Sequence, residues 1–124
     1  MTVDAWIVRR EAIMVITNLI YVTEPNNVDE QTTYQICTSE DYKLLQILVK
    51  CLGVSEKDQE VCEELLHTFH RILTLDKIYS IPEEKTFSYK FEELDGLNIL
   101  EELQMHKIEK IHEFVLWLIE QHFD

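Results

Sequence analysis

An all-helical solenoid is the fold this sequence predicts, on three observations. Gly and Pro number two each, too few for a sandwich or barrel of short strands, while hydrophobic residues reach 46% and charged residues 28%. Apolar residues recur at spacings of three and four along most of the chain, as in helices that bury one stripe. A short, a medium and a long helix also follow one another twice, beginning near Glu30 and again near Phe91. In a stack of such triplets each unit leaves part of its apolar face for its neighbour, and the long helices share one surface, normally the binding surface.

The elements follow in order. From Asp4 to Tyr21 the positions Ala5, Val8, Ala12, Val15, Ile16 and Leu19 form the predicted buried stripe of a first helix, with Thr2 or Asp4 as its cap. Pro25, Asn26 and Asn27 stop it before a short second helix near Glu30 to Cys37. Ser39 and Asp41 supply N-cap chemistry for a third helix on Leu44, Leu45, Leu48, Val49 and Leu52, with Gly53 as its expected left-handed C-cap. After the loop Ser55 to Asp58, a fourth helix runs to Leu75 on Val61, Leu65, Phe69, Ile72 and Leu73, acidic at its start and carrying His70 and Arg71 later. Asp76 to Lys90, with Ile81-Pro82, reads as an irregular, insertion-tolerant loop. A brief helix at Phe91 to Leu94 breaks at Asp95-Gly96, and Leu97 to Met105 and Ile108 to Phe123 complete seven helices.

The 124 residues suffice for one domain that needs neither disulfide nor metal to hold its core. A formal charge of -13 argues against nucleic acid and anionic membranes as partners and favours basic protein faces. Cys37, Cys51 and Cys62 are an odd number without CxxC spacing, which fits a reducing compartment better than a disulfide framework. The most apolar stretch, Trp6 to Val22, contains Arg9, Arg10 and Glu11, so neither a membrane span nor a signal peptide is indicated, and an intracellular location is expected.

Phe91-Glu-Glu-Leu-Asp-Gly-Leu-Asn-Ile-Leu-Glu-Glu-Leu-Gln-Met-His106, followed by Leu118-Ile-Glu-Gln-His-Phe123, resembles the final armadillo repeat of the importin-α family. In that family an acidic pair precedes a Gly, then come Leu, a Leu-Gln-x-His helix end and Leu-Ile-Glu-x-aromatic-Phe. Upstream, Glu11-Ala-Ile-Met-Val-Ile-Thr-Asn18 resembles the family's Glu-Ala-Ala-Trp-x-x-x-Asn third-helix motif. The resemblance implies a fragment of a right-handed armadillo solenoid, about two and a half three-helix repeats. It divides the single domain 1–124 into a partial repeat over 1–22, a repeat over 28–75, a loop over 76–90 and a final repeat over 91–124. It also implies a chain that begins within a repeat and lacks a basic importin-β-binding segment, so that it is either an excised piece or a shortened relative.

The implied function is protein recognition in nucleocytoplasmic transport, in the cytoplasm and nucleus, without catalysis or cofactor. In the family, Trp and Asn four residues apart line the concave groove, where the ring stacks on Lys stems and the amide fixes the cargo backbone. The matching positions here are Met14 and Asn18, then His67 and Arg71, then Trp117 and Gln121. Arg71 would repel a basic cargo, so the better-supported partners are those that the family's last repeats meet: an export receptor, a nucleoporin or a non-peptide cargo. Glu92 and Glu93 fall where partners dock in relatives.

Other constellations are weighed beside this. Phe114 and Trp117 lie off the stripe formed by Ile108, Ile111, Val115, Leu118 and His122, giving the last helix a second apolar face that either packs on the preceding helix or awaits a partner. Glu64-x-x-His67 and Glu109-x-x-His112 have the spacing of di-iron helical bundles, and a helical metal-binding protein or enzyme is the alternative reading, but no further inward Glu pair or four-helix pattern accompanies them. A non-transport helical scaffold is the third reading. Cys62 with His67 and His70 lacks a setting that would stabilise a thiolate. Glu63-Glu64, Glu92-Glu93 and Glu101-Glu102 diverge around their helices and read as solvated surface, Glu92 and Glu93 excepted. Trp6, Ile7 and Ile13 are the expected exposed edge of the truncated stack and a route to self-association.

Overall fold

The computed structural model describes residues 3–22, 30–55 and 57–123. They form α1 (Val3–Val22), α2 (Glu30–Gly53), α3 (Gln59–Ile78), a 3-10 turn (Glu83–Lys85), α4 (Phe87–Glu93), α5 (Gly96–Leu103) and α6 (Glu109–His122), with no strand among the described residues.

α3 is the central element because its sequence is apolar on more than one side. Val61, Leu65, Leu66, Phe69, Ile72 and Leu73 are all buried, and α1, α2, α4 and α6 pack around them. Asp58 caps the helix as its spacing predicts, its carboxylate accepting the Val61 N–H at 3.2 Å. Thr68 lies inside without cost, since its hydroxyl donates to the Glu64 carbonyl at 2.8 Å. The helix continues past Leu75 to Ile78, so Asp76 is helical.

α1 packs with a different face from the one its periodicity predicts. Ile13 is 2% exposed and Thr17 is buried, whereas Val8 and Val15, expected inside, are 70% and 65% exposed. Ala12 is exposed as well and Ile16 is half-buried, while the side chains of Ala5 and Leu19 lie outside the described residues. Arg10 explains the choice of face: its Nε meets Asp58 at 3.2 Å and its Nη2 meets Glu60 at 3.0 Å, which fastens α1 to the N-terminus of α3. Of the expected exposed edge, Ile7 is half-exposed and Ile13 is core, while the Trp6 side chain lies outside the described residues.

The second and third predicted helices form one element, α2. The break expected near Ser39 to Asp41 survives as a left-handed pair, Asp41 (φ 57) and Tyr42 (φ 62). Gln46 Nε2 donates to the Asp41 carbonyl at 3.0 Å, supplying a partner where the helical ladder is disturbed. Tyr42 is pinned from the other side, its ring edge-on to Phe87 at 6.0 Å and beneath Lys90 Nζ at 5.3 Å. Gly53 is not left-handed, contrary to expectation, for no glycine has a positive φ. The helix closes instead through Ser55, whose N–H and hydroxyl both donate to the Leu52 carbonyl at 3.2 and 2.8 Å.

Residues 87–122 keep the short, medium, long order, at 7, 8 and 14 residues. The left-handed residue between α4 and α5 is Asp95 (φ 69), one of the few types that tolerate it. Gly96 serves a different need: a Cβ there would lie 2.5 Å from the Phe91 ring, so only glycine lets α5 start against α4. Phe91 is fully buried, 5.0 Å from Phe69 and 5.7 Å from Phe123 between ring centres, and this aromatic stack joins α4 to α3 and to the chain's last turn.

Candidate functional site

The loop expected over Asp76 to Lys90 is built rather than loose, and it shapes the surface beside it. Asp76 Oδ1 accepts the Phe87 N–H at 2.7 Å, and its Oδ2 accepts the Ser88 N–H and hydroxyl at 3.0 and 2.8 Å. Thr86 adds a second cap, accepting the Tyr89 N–H at 3.1 Å, so α4 begins at Phe87 instead of Phe91.

Along α3 and α6 the facing side chains make an aromatic and imidazole seam. His67 stacks on Phe114 with ring centres 4.5 Å apart, His70 meets Trp117 edge-on at 4.7 Å, and Phe114 lies 5.7 Å from Trp117. His70 Nδ1 and His122 Nε2 stand 3.0 Å apart, one ring donating its N–H to the other. Lys77 Nζ donates to the Gln121 carbonyl at 3.4 Å at one end, and Lys110 pairs with Glu63 at 3.1 Å toward the other. Trp117 remains 39% exposed, with Phe114 half-buried beside it, so the second apolar face of α6 packs against α3 while offering its outer edge to solvent.

Burial governs the charge of this seam. Desolvation lowers His122 to about 4, helped by His70 and Lys77, and lowers His70 for the same first reason, with His67 and Lys77 adding to it. Both rings are therefore neutral near pH 7, and the N–H of one meets the lone pair of the other. His122 also borders a cleft of about 340 Å³ lined with Asp76, Glu83, Ser88, Tyr89, Glu92 and Phe123.

The predicted binding residues thus divide. His67, Phe114 and Trp117 come together in the seam, and Gln121 joins through its backbone. Glu92 lies on the cleft, and Glu93, exposed beside it, pairs with Lys90 at 3.9 Å. Arg71 is half-buried on α3, Met14 is half-buried against the core, and the Asn18 side chain lies outside the described residues. Sequence reasoning missed the lock made by His70, Lys77 and His122. Its one trace is a histidine at a position of the buried α6 stripe.

The competing constellations are occupied otherwise. His67 is taken by Phe114, and His112 Nδ1 donates to the Gln104 carbonyl. No group of three or more His, Cys, Asp or Glu is gathered for a metal among the described residues. Cys37 and Cys62 are buried, and desolvation pushes the Cys37 thiol up to about 12, far from a thiolate. No helix among the described residues is long and apolar enough to cross a membrane.

Comparison with known proteins bears on the C-terminal part. Residues 85–124 match the family model of an atypical Arm repeat, a segment that takes in all of α4, α5 and α6. No curated protein and no solved structure matches the chain. An all-α fold carrying an Arm repeat defines the class: a module that interacts with other proteins.

Proposed function

We propose that this chain is an importin-α-like recognition module that acts in nucleocytoplasmic transport, moves between cytoplasm and nucleus, and performs no catalysis. The observation that carries the reading is the half-exposed Trp117 and Phe114 ridge, backed by His67 and His70, on the long helices of an Arm-repeat protein. Aromatic side chains that are held on one face and open on the other are the usual anchors of protein interfaces. Glu113 and Glu120, exposed on the same helix, and the chain's charge of -13 favour a partner with basic character.

Among transport proteins the favoured partners are an export receptor or an importin-α-binding nucleoporin segment. A basic localisation peptide fits less well, because Arg71 stands on the same helix as His67 and Met14 occupies the family's first Trp position. Glu92 and Glu93 extend the surface toward the cleft.

A pull-down of the intact chain with each of the three probes tests this. Capture of receptor or nucleoporin, reduced at least about tenfold by Trp117→Ala, is the expected result. Binding of none of them, with the fold intact, removes the transport reading and leaves an Arm-repeat module with other protein partners.

A further inference from the structure

α1 has two apolar faces, and the core uses one. Ile13 and Thr17 face α3, while Val8, Ala12 and Val15 lie exposed on the opposite side at spacings of four and three. Ala5 and Leu19 continue that spacing in the sequence, giving the alternation of three and four by which one helix packs lengthwise on another. Among the described residues nothing covers Val8, Ala12 and Val15.

Charge narrows what can cover it. The chain as a whole carries -13, and α3 and α6 each bear more carboxylates than cations. On α1, Asp4 and Glu11 offset Arg9 and Arg10, so it is a long helix with no net charge. Two copies of so acidic a chain approach best through neutral surface. The outward side of α6 does not offer the same row, since its exposed Leu116 stands between Glu113 and Glu120. Head-to-tail stacking would place the α1 row against those carboxylates.

We infer that α1 packs on α1 of a second copy, through Val8, Ala12 and Val15, in a two-fold dimer. The contact is isologous, so it closes at two chains and does not propagate. Three small side chains per copy cover well under the roughly 1,200 Å² of a stable standard interface, so the dimer is weak and depends on concentration. This pairing is independent of the proteins that the α3 and α6 seam recognises.

Sedimentation velocity across a dilution series from about millimolar to micromolar chain tests it. The wild-type chain should pass from dimer to monomer on dilution. A Val8→Glu, Val15→Glu variant should stay monomeric throughout with unchanged helical circular dichroism, because four carboxylates would meet in the seam. Leu116→Glu, on the outward side of α6, should dimerise like wild type. A wild type that is monomeric throughout, a double variant that still dimerises, or a dimer lost in Leu116→Glu would each overturn the proposal. Val15→Gln reads the same way should the double substitution unwind α1.

Discussion

The two ends of this molecule are held by different physics. At the C-terminal end, α4 to α6 are closed by a buried aromatic stack, by side-chain caps reaching from Asp76 and Thr86, and by a glycine that only close packing explains. At the other end α1 rests on one face, tied by Arg10, and turns Val8 and Val15 outward. The C-terminal unit is therefore tightly closed within itself, although Trp117 and Leu116 stay part-exposed on α6, while α1 turns a row of apolar side chains outward. The difference lies in how many independent contacts fix each element against the core.

The comparison breaks most sharply at Phe91. Phe91→Ala should remove about 3–5 kcal/mol in urea unfolding, since a fully buried ring between Phe69 and Phe123 is lost. A cost under about 1 kcal/mol would mean that the C-terminal unit is not closed as described. Gly96→Ala should cost about 1–3 kcal/mol, because the Phe91 ring has to shift to admit the new methyl. Thermal melts of the two single variants and their combination would show strong non-additivity if they act through one contact. Asp76→Ala, which strips three hydrogen bonds from the start of α4, should cost about 1–2 kcal/mol. Faster amide exchange at Phe87 and Ser88 would localise the effect.

Acid should act on the same end with a smaller effect. Unfolded histidines protonate near their ordinary value, whereas His70 and His122 are held below it, so the unfolded state binds more protons as pH falls. Their contribution is fully present above about 6.5 and is lost as pH falls from there toward about 4. After allowance for partial exposure the loss is on the order of 1 kcal/mol. Denaturant titrations of wild type and His122→Gln at neutral and mildly acidic pH would check it, the variant showing the shallower dependence. Smallest of all, in the dilute monomeric chain Val15→Ala should change stability by less than about 0.5 kcal/mol, as expected where the side chain of the single chain meets water.

How far the fold could be read from the chain depended on how local the cause was. α3 was legible because Asp58, the acidic first turn and the apolar rows lie within the helix itself. The seam was half legible: the unusual apolar positions Phe114 and Trp117 announced a second face, but the His70 and His122 contact spans 52 residues and has no local signature. Asp76 looked like the start of a loop because the groups it caps lie 11 and 12 residues further on. On α1 the periodicity pointed the wrong way for an electrostatic reason. The packed face carries Arg10 and Thr17, which look like surface residues until the carboxylates of α3 and the Met14 carbonyl are found beside them. The more apolar row was left outside.

The Arg10 tie also sets an order in time. Its partner Asp58 lies 48 residues further along the chain, so a ribosome adding about 5–20 residues per second leaves α1 waiting roughly 2–10 s for its docking site to be made. During that interval both apolar rows of the helix are open to whatever is near. Newly made chains are thus open to off-pathway association at α1 until α3 has been made to receive it.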